Sequence, residues 1–338
     1  MNKLLSLLAV CLAIVPLSAC KQEVSEKPAA KQEKAASVVI RPELNWDTPK
    51  LTSNVWKISK EGQPDSYLLG TIHMGQTNQT LSPDAVKLLQ STAQLTTEVD
   101  ALPDSSPETK KMYQKYFKEV MSTEPLSRKL GKTDFRLLQE IYSKNEESRP
   151  IAQITDKLHP WAALVFAGSA FPQGYSSETG ADMLLTNAAA DINKPRGSLE
   201  SLDDVTAIFK AQPEETMLNF LKASIKTNKE ETEDIKKLHQ AYSDGRFEEL
   251  IPLLEETEQR TLKLVDTKYA KAMSDWLKND LLIRRNLAWL PEIRKQSAKQ
   301  STLFAVGIAH LPSEKGLIEL LRKEGYQVTP EPKVLIWQ

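Results

Sequence analysis

Apolar residues dominate from Leu4 to Val15, with Lys3 before them and small residues after them. That is the layout of a secretory signal peptide; it is too short, and wrongly flanked, for a membrane-spanning helix. From residue 21 to about 44 the chain mixes charge with alanine and keeps no period, which predicts a flexible tether. A tether of that length has a root-mean-square span of about 25–30 Å. Order is predicted from near Asn54. Val55-Trp56-Lys57-Ile58 alternates, Gly62-Gln63-Pro64-Asp65 signals a turn, and Tyr67-Leu68-Leu69 is apolar again, so the segment reads as a hairpin running into Gly70. Ser82-Pro83-Asp84 reads as a capped helix start, leading through residues 84–93 to a strand over 94–99. Helical spacing follows: Tyr113, Phe117, Val120 and Met121 share one face, and Phe135, Leu138 and Ile141 share another. Between about 213 and 296 charge is interrupted by Leu218, Leu221 and Ile225, then by Ile235, Leu238 and Tyr242, which predicts several amphipathic helices with solvated charged faces. Residues 303–306 read as a strand, 314–323 as a helix with Gly325 as its cap, and 326–329 as a last strand.

Composition changes this picture little. Hydrophobic residues make up 40% of the 338 and charged residues 26%, with a net charge of −1. A multi-span membrane protein and a largely disordered chain are excluded, and no basic excess argues for nucleic acid. The end of the leader is more informative. Leu17-Ser18-Ala19-Cys20 resembles a bacterial lipobox, which implies a signal peptide over 1–19, lipidation of Cys20, a tether over 20–44 and a folded unit over 45–338. Lys21, where an aspartate would resemble an inner-membrane retention signal, favours the outer membrane of a Gram-negative envelope. The other cysteine, Cys11, leaves with the leader, so disulfides and thiolate metal sites are unavailable to the mature fold.

Chemistry therefore falls to histidine and carboxylate. The histidines are His73, His159, His239 and His310, and two of them sit in a repeated motif. Leu69-Gly70-Thr71-Ile72-His73-Met74 resembles Val306-Gly307-Ile308-Ala309-His310-Leu311, each copy following a strand and preceding a helix and another strand. Open α/β sheets place ligand sites at such strand ends, glycine allows close backbone approach, and imidazole can bind a metal or shuttle a proton. His159, before Pro160-Trp161, is expected at a helix entrance, His239 on an exposed helix face, and Trp161, Trp276 and Trp289 as core or groove aromatics. No GxSxG elbow, HExxH helix or Walker loop is present.

These segments, together with TTEVD, HPWAAL, TGADMLL with its following LES, and RRNLAWLPEI, resemble the TraB/PrgY/GumN family, which includes the Tiki proteins. The resemblance runs from about Trp56 to Val328. It implies an α/β fold with a central mixed sheet built from two GxxH-containing halves and a large helical insertion, akin to erythromycin-esterase-like and ChaN-like proteins. It also implies a divalent-metal-dependent hydrolase, with peptides among its candidate substrates, because Tiki proteins are described as manganese- or cobalt-dependent proteases. Carried over by residue, His73 and His310 match the motif histidines and Glu98 an acidic residue after the first helix. Glu200 matches a second glutamate, Arg285-Asn286 the pair on the penultimate helix, and Gly180 with Asp182 a GxD segment. Two imidazoles and a carboxylate make a site for manganese, cobalt or zinc. His73, His310 and Glu98 are the expected ligands, Glu200 the base or an outer ligand, and Arg285 the electrophile, with Gly70, Gly307, Asp182 and Asn286 supporting. The residues leave alternatives open. Asp100 shares the strand face of Glu98, Glu200 has the position of a helix cap, and Arg285 that of a helix-bridging cation. A non-catalytic lipoprotein that binds haem or sequesters a peptide is the competing function.

Overall fold

The computed structural model describes residues 49–100 and 107–338. The leader, Cys20 and the tether lie outside the described residues. Strands β1 (Val55–Ser59) and β2 (Ser66–Thr71) form the expected antiparallel hairpin, with Val55 opposite Leu69 and Gly62 at positive φ in the turn. A short strand β3 (Gly75–Gln76) follows, then helix α1 (Pro83–Gln90) and strand β4 (Gln94–Thr97). Ser82 caps α1 by accepting from the Ala85 N–H, and Pro83 occupies the first turn, where its missing N–H costs nothing.

The helical insertion comprises α2 (Pro107–Val120), α3 (Leu126–Leu130), α4 (Lys132–Ser143), α5 (Arg149–Ala152) and α6 (Pro160–Gly168). Strand β5 (Tyr175–Ser176) pairs with β3, and α7 (Ala181–Asp191) leads to β6 (Arg196–Ser198). Next come α8 (Leu202–Lys210), α9 (Glu214–Ser243), α10 (Leu250–Leu262), α11 (Thr267–Asp275), a π-helical stretch over Trp276–Ile283, and α12 (Arg284–Lys299). The chain closes with β7 (Thr302–Gly307), a 3₁₀ turn over Ile308–His310, α13 (Leu317–Lys323) and β8 (Gln327–Pro330). The predicted face of α2 shifts by one residue: Tyr113, Tyr116 and Val120 are buried, whereas Phe117 is 38% exposed.

The fold is mixed α/β. Its six-stranded sheet has the order β6-β4-β7-β2-β1-β8. β6, β4, β7 and β2 run parallel, while β1 is antiparallel to both β2 and β8. The two motif strands are neighbours, with Thr71 of β2 opposite Gly307 of β7, so both GxxH loops leave the same edge of the sheet side by side. β7 is buried at every position, as expected for a central parallel strand covered on both faces.

The described residues bury two hydrophobic cores. One packs against the sheet around Phe304, Leu303, Leu69 and Trp289. The other fills the helical insertion around Phe209, Phe220, Tyr142 and Trp276. Helix α9 joins them: Phe220 and Leu221 are buried in the second core, and Ala241 and Tyr242 in the first. Its 30 residues span about 45 Å at 1.5 Å per residue. The sequence divided this region into separate periods, yet both periods lie on one continuous helix, because only Gly245, beyond Ser243, breaks it with a positive φ.

Candidate functional site

Four strand ends and one helix assemble the site. Glu98 follows β4, Glu200 follows β6, and the parallel register places them side by side; the Glu200 N–H donates to the Glu98 carbonyl at 3.0 Å. His73 and His310 hang from the loops after β2 and β7. Arg285 and Asn286 project from the first turn of α12.

Arg285 is the hub. It is 5% exposed, and every N–H of its fork has a partner. Nε donates to Glu200 Oε1 at 2.8 Å, Nη2 reaches both Glu98 Oε2 and Glu200 Oε1, and Nη1 reaches the Leu281 carbonyl at 3.2 Å and His310 Nε2 at 3.3 Å. The Trp289 ring, one helical turn on, lies under the guanidinium at 4.7 Å and beside the His310 ring at 4.5 Å. The sequence marks Trp289 as a core or groove aromatic without tying it to the site. Its i+4 spacing from Arg285 is the signal that places it in the site.

Both histidines are oriented through Nδ1. The Asn286 amide NH₂ points at the carbonyls of Lys315 and His310, so its oxygen faces the His310 ring and accepts from Nδ1 at 2.7 Å. His310 is therefore the tautomer with its lone pair on Nε2. Burial pushes its pKa down against the pull of Glu98, and nearby Arg285 and His73 add to the fall, to about 3. His73 Nδ1 lies 3.1 Å from Asp182 Oδ1, close enough for an ion pair although not aligned as a hydrogen bond. Burial lowers the His73 pKa, but the negative charges of Asp182 and Glu98 outweigh it, and the net shift is upward.

The carboxylates divide in the same way. Burial raises the Glu98 carboxyl, yet Arg285, His310, His73 and the Gly307 N–H, which donates to Oε1 at 2.7 Å, hold it at about 2. Burial dominates at Glu200 and raises its pKa despite Arg285. Asp100 turns away and pairs with Arg196 at 3.5 Å, so Glu98 is the carboxylate that enters the site. Glu200 does not cap α8, a role taken by Ser201 with Asp204.

Two glycines make room. A Cβ on Gly307 would stand 3.2 Å from Glu98 Oε1, 3.4 Å from His73 Nε2 and 3.6 Å from the His310 ring, so these three groups surround a space that glycine leaves open. A Cβ on Gly180 would stand 2.7 Å from the His73 carbonyl carbon, which explains how the start of α7 brings Asp182 against His73. Gly70 contributes its carbonyl, which accepts from the Tyr242 hydroxyl at 2.6 Å and ties α9 to the first motif.

The donor chemistry over Gly307 fits a divalent ion. Imidazole nitrogens and an ionised carboxylate are borderline-hard ligands; His310 and Glu98 are backed by hydrogen bonds from Asn286, Arg285 and Gly307, and His73 by the charge of Asp182. Among the described residues no three His, Cys, Asp or Glu side chains already form a grouped site, and Arg285 holds the lone pair of His310 Nε2. His159 stands at the entrance of α6, as its sequence suggested. His239 is not exposed: it is 2% accessible, wedged against Tyr175 and Trp337, with Nε2 2.9 Å from Gln79 Oε1.

His73, Arg285, Gly307 and His310 line a cleft of about 170 Å³ between the two cores. Its walls come from Ile235 and Leu238 of α9, Leu253 and Leu254 of α10, and Leu281 and Leu282 of the π-helical stretch. The cluster can thus present the two imidazoles and the Arg285 guanidinium to a ligand in the cleft, with Glu98 and Glu200 bonded to that guanidinium. Comparison with curated proteins and with solved structures returned no match. A model of the TraB/PrgY/gumN family does match over residues 54–330, from the strand before the first GxxH motif to the end of β8, and the chain belongs to that family.

Proposed function

We propose that the protein is a divalent-metal-dependent hydrolase of the bacterial envelope, with peptides as its favoured substrate class. One observation carries the reading. Two imidazoles and an ionised carboxylate surround the space over Gly307, and both imidazoles line the neighbouring cleft. His73, Glu98 and His310 would hold the ion. When bound, such an ion supplies Lewis-acid polarisation and an acidified water.

The protein's own groups do the rest. Asp182 stands against His73 Nδ1 and leaves Nε2 on the Gly307 side, while Asn286 holds His310 Nδ1 and leaves Nε2 facing Arg285. Arg285 fixes Glu98 and spreads positive charge through the site. Glu200, with its raised pKa, is the carboxyl suited to accept and return a proton. The apolar walls exclude water and hold an extended ligand. Anchoring would come from lipid on Cys20, a reading supported by the Leu17–Cys20 sequence. Among the described residues no helix is long and apolar enough to cross a membrane.

Metal content after dialysis against manganese, cobalt or zinc, together with cleavage of a fluorogenic peptide library, tests this. Metal-dependent cleavage lost in His73→Ala/His310→Ala is expected. A protein that takes up no divalent ion, and whose cleavage survives both substitutions, sinks the reading. Mass analysis of Cys20, and release from membranes in Cys20→Ala, tests the anchor.

The apolar walls also suit a non-catalytic binding role. Peptides that bind but keep their intact mass would establish it. A Soret band in protein exposed to haem, abolished by His73→Ala or His310→Ala, would identify haem as the ligand.

A further inference from the structure

The cleft wall has one feature that the site at Gly307 does not use. Glu231 of α9 lines it where the polar side chains of Asn228, Thr232 and Asp234 meet the apolar ones of Ile235, Leu238, Leu253 and Leu254. Among the described residues its oxygens receive hydroxyls from their own helix: Thr227 Oγ1 donates to Oε1, and Ser224 Oγ lies 3.4 Å from Oε2. Arg260 of α10, whose charge reaches Glu231, is already committed to Asp234 and Glu256. Lys144 donates to Asn228 at 3.1 Å, on the same stretch of wall. Burial pushes the Glu231 carboxyl up to about 7, and the charge of Asp234 adds to the rise, while Thr227, Ser224 and Arg260 only partly oppose it. A carboxylate fixed by hydroxyls in an apolar cleft is set to receive a cation from the ligand.

We propose that Glu231 is a specificity-determining residue that binds a primary ammonium group of the ligand, supplied by a peptide N-terminus or by a lysine side chain. This rests on the cleft being the substrate site of the hydrolase reading. Glu231 lies seven residues from Leu238, about 10 Å along α9. An extended peptide covers that distance with about three residues. A short apolar peptide with one amine therefore matches the length and the polarity of the wall.

Calorimetric titration of the purified full-length protein with three probes tests the proposal: Leu-Leu-Leu-amide, its N-acetylated form, and N-acetyl-Lys-Leu-Leu-amide. At least one cationic probe is expected to bind about tenfold more tightly than the N-acetylated neutral one, the size of one charge-assisted hydrogen bond. Whichever cationic arm is preferred identifies the source of the amine. Glu231→Gln, which can still accept from Thr227, should bring the ratio to about one while leaving the neutral probe unaffected. Glu231→Ala provides a second variant, and a thermal melt reports the folding of each. Equal binding of all three probes, no binding of any, or a preference that survives both substitutions overturns the proposal. Mass analysis of the same mixtures separates the two readings. Amine preference without cleavage sinks the hydrolase and leaves Glu231 its role, whereas cleavage without amine preference does the reverse.

Discussion

Arg285 is where the buried charges balance. Its guanidinium is buried and faces Glu98 and Glu200, so its removal strands two carboxylates and the lone pair of His310. Breaking a buried pair by deleting one partner costs about 3–5 kcal/mol. Arg285→Ala is expected to lose that much in urea unfolding, with Arg285→Lys falling between it and wild type because an ammonium cannot span the same acceptors. The pH dependence follows from the same cluster. His310 stays neutral in the fold down to about 3, against an ordinary 6.5, so the unfolded chain binds its proton first and stability is lost as pH falls from 6.5 toward 3. Glu98, held at about 2, contributes stability that is complete above 4.5 and is lost as pH falls through 2. The melting temperature should therefore drop on acidification, and drop less steeply between pH 6.5 and 3 in His310→Gln. Glu231 acts in the opposite sense. Its raised pKa gives a contribution present below 4.5 and lost as pH rises through 7, so Glu231→Gln should gain on wild type at pH 8 but not at pH 4. At this scale the sequence named most of the site. Glu98, Glu200, His73, His310, Asp182, Arg285 and Asn286 all come together. It could not choose between Glu98 and Asp100, which lie on the same strand face; the end of β4 at Thr97 decides that, since the chain bends there.

Among the elements, the loops after β2 and β7 and the start of α7 carry the finest tolerances. A Cβ at position 180 would press on backbone, which cannot rotate away, whereas one at 307 would meet side-chain atoms. Gly180→Ala is therefore expected to destabilise by about 1–3 kcal/mol, the cost of overpacking. Gly307→Ala should melt closer to wild type yet lose metal uptake, because it fills the space between the proposed ligands. Thermal melts paired with metal titration of both variants check this. The π-helical stretch before α12 was not legible. Its hydrophobic spacing does not separate it from an α-helix, and its effect is tertiary: the Leu281 carbonyl becomes an acceptor for Arg285. The hairpin, the cap on α1 and the β7–α13–β8 unit were legible because local turn chemistry and strand alternation specify them. The helix of that unit begins at Leu317, later than its spacing suggested, since residues 313–316 form a turn with Ser313 at positive φ.

Across the whole molecule, α9 couples two cores that would otherwise fold as neighbours. Phe304 in the sheet core and Phe220 in the helical core are both inaccessible to solvent. Truncating either to alanine should cost about 3–5 kcal/mol. Because α9 is buried in both cores, both substitutions should lower one common transition, which near-ultraviolet and far-ultraviolet dichroism would show as coincident melts. The sequence by itself determined the duplicated strand–GxxH–helix–strand unit, because periodicity and turn residues act over a few positions, while the mixed sheet and the carboxylates and arginine of the site followed from the family resemblance. Only the tertiary structure decided the rest. Strand order sets the two motifs side by side, parallel register joins Glu98 to Glu200, and the long α9 opens a cleft between the cores with Glu231 on its wall. Each of these depends on contacts between residues far apart in the chain, where local pattern carries no information.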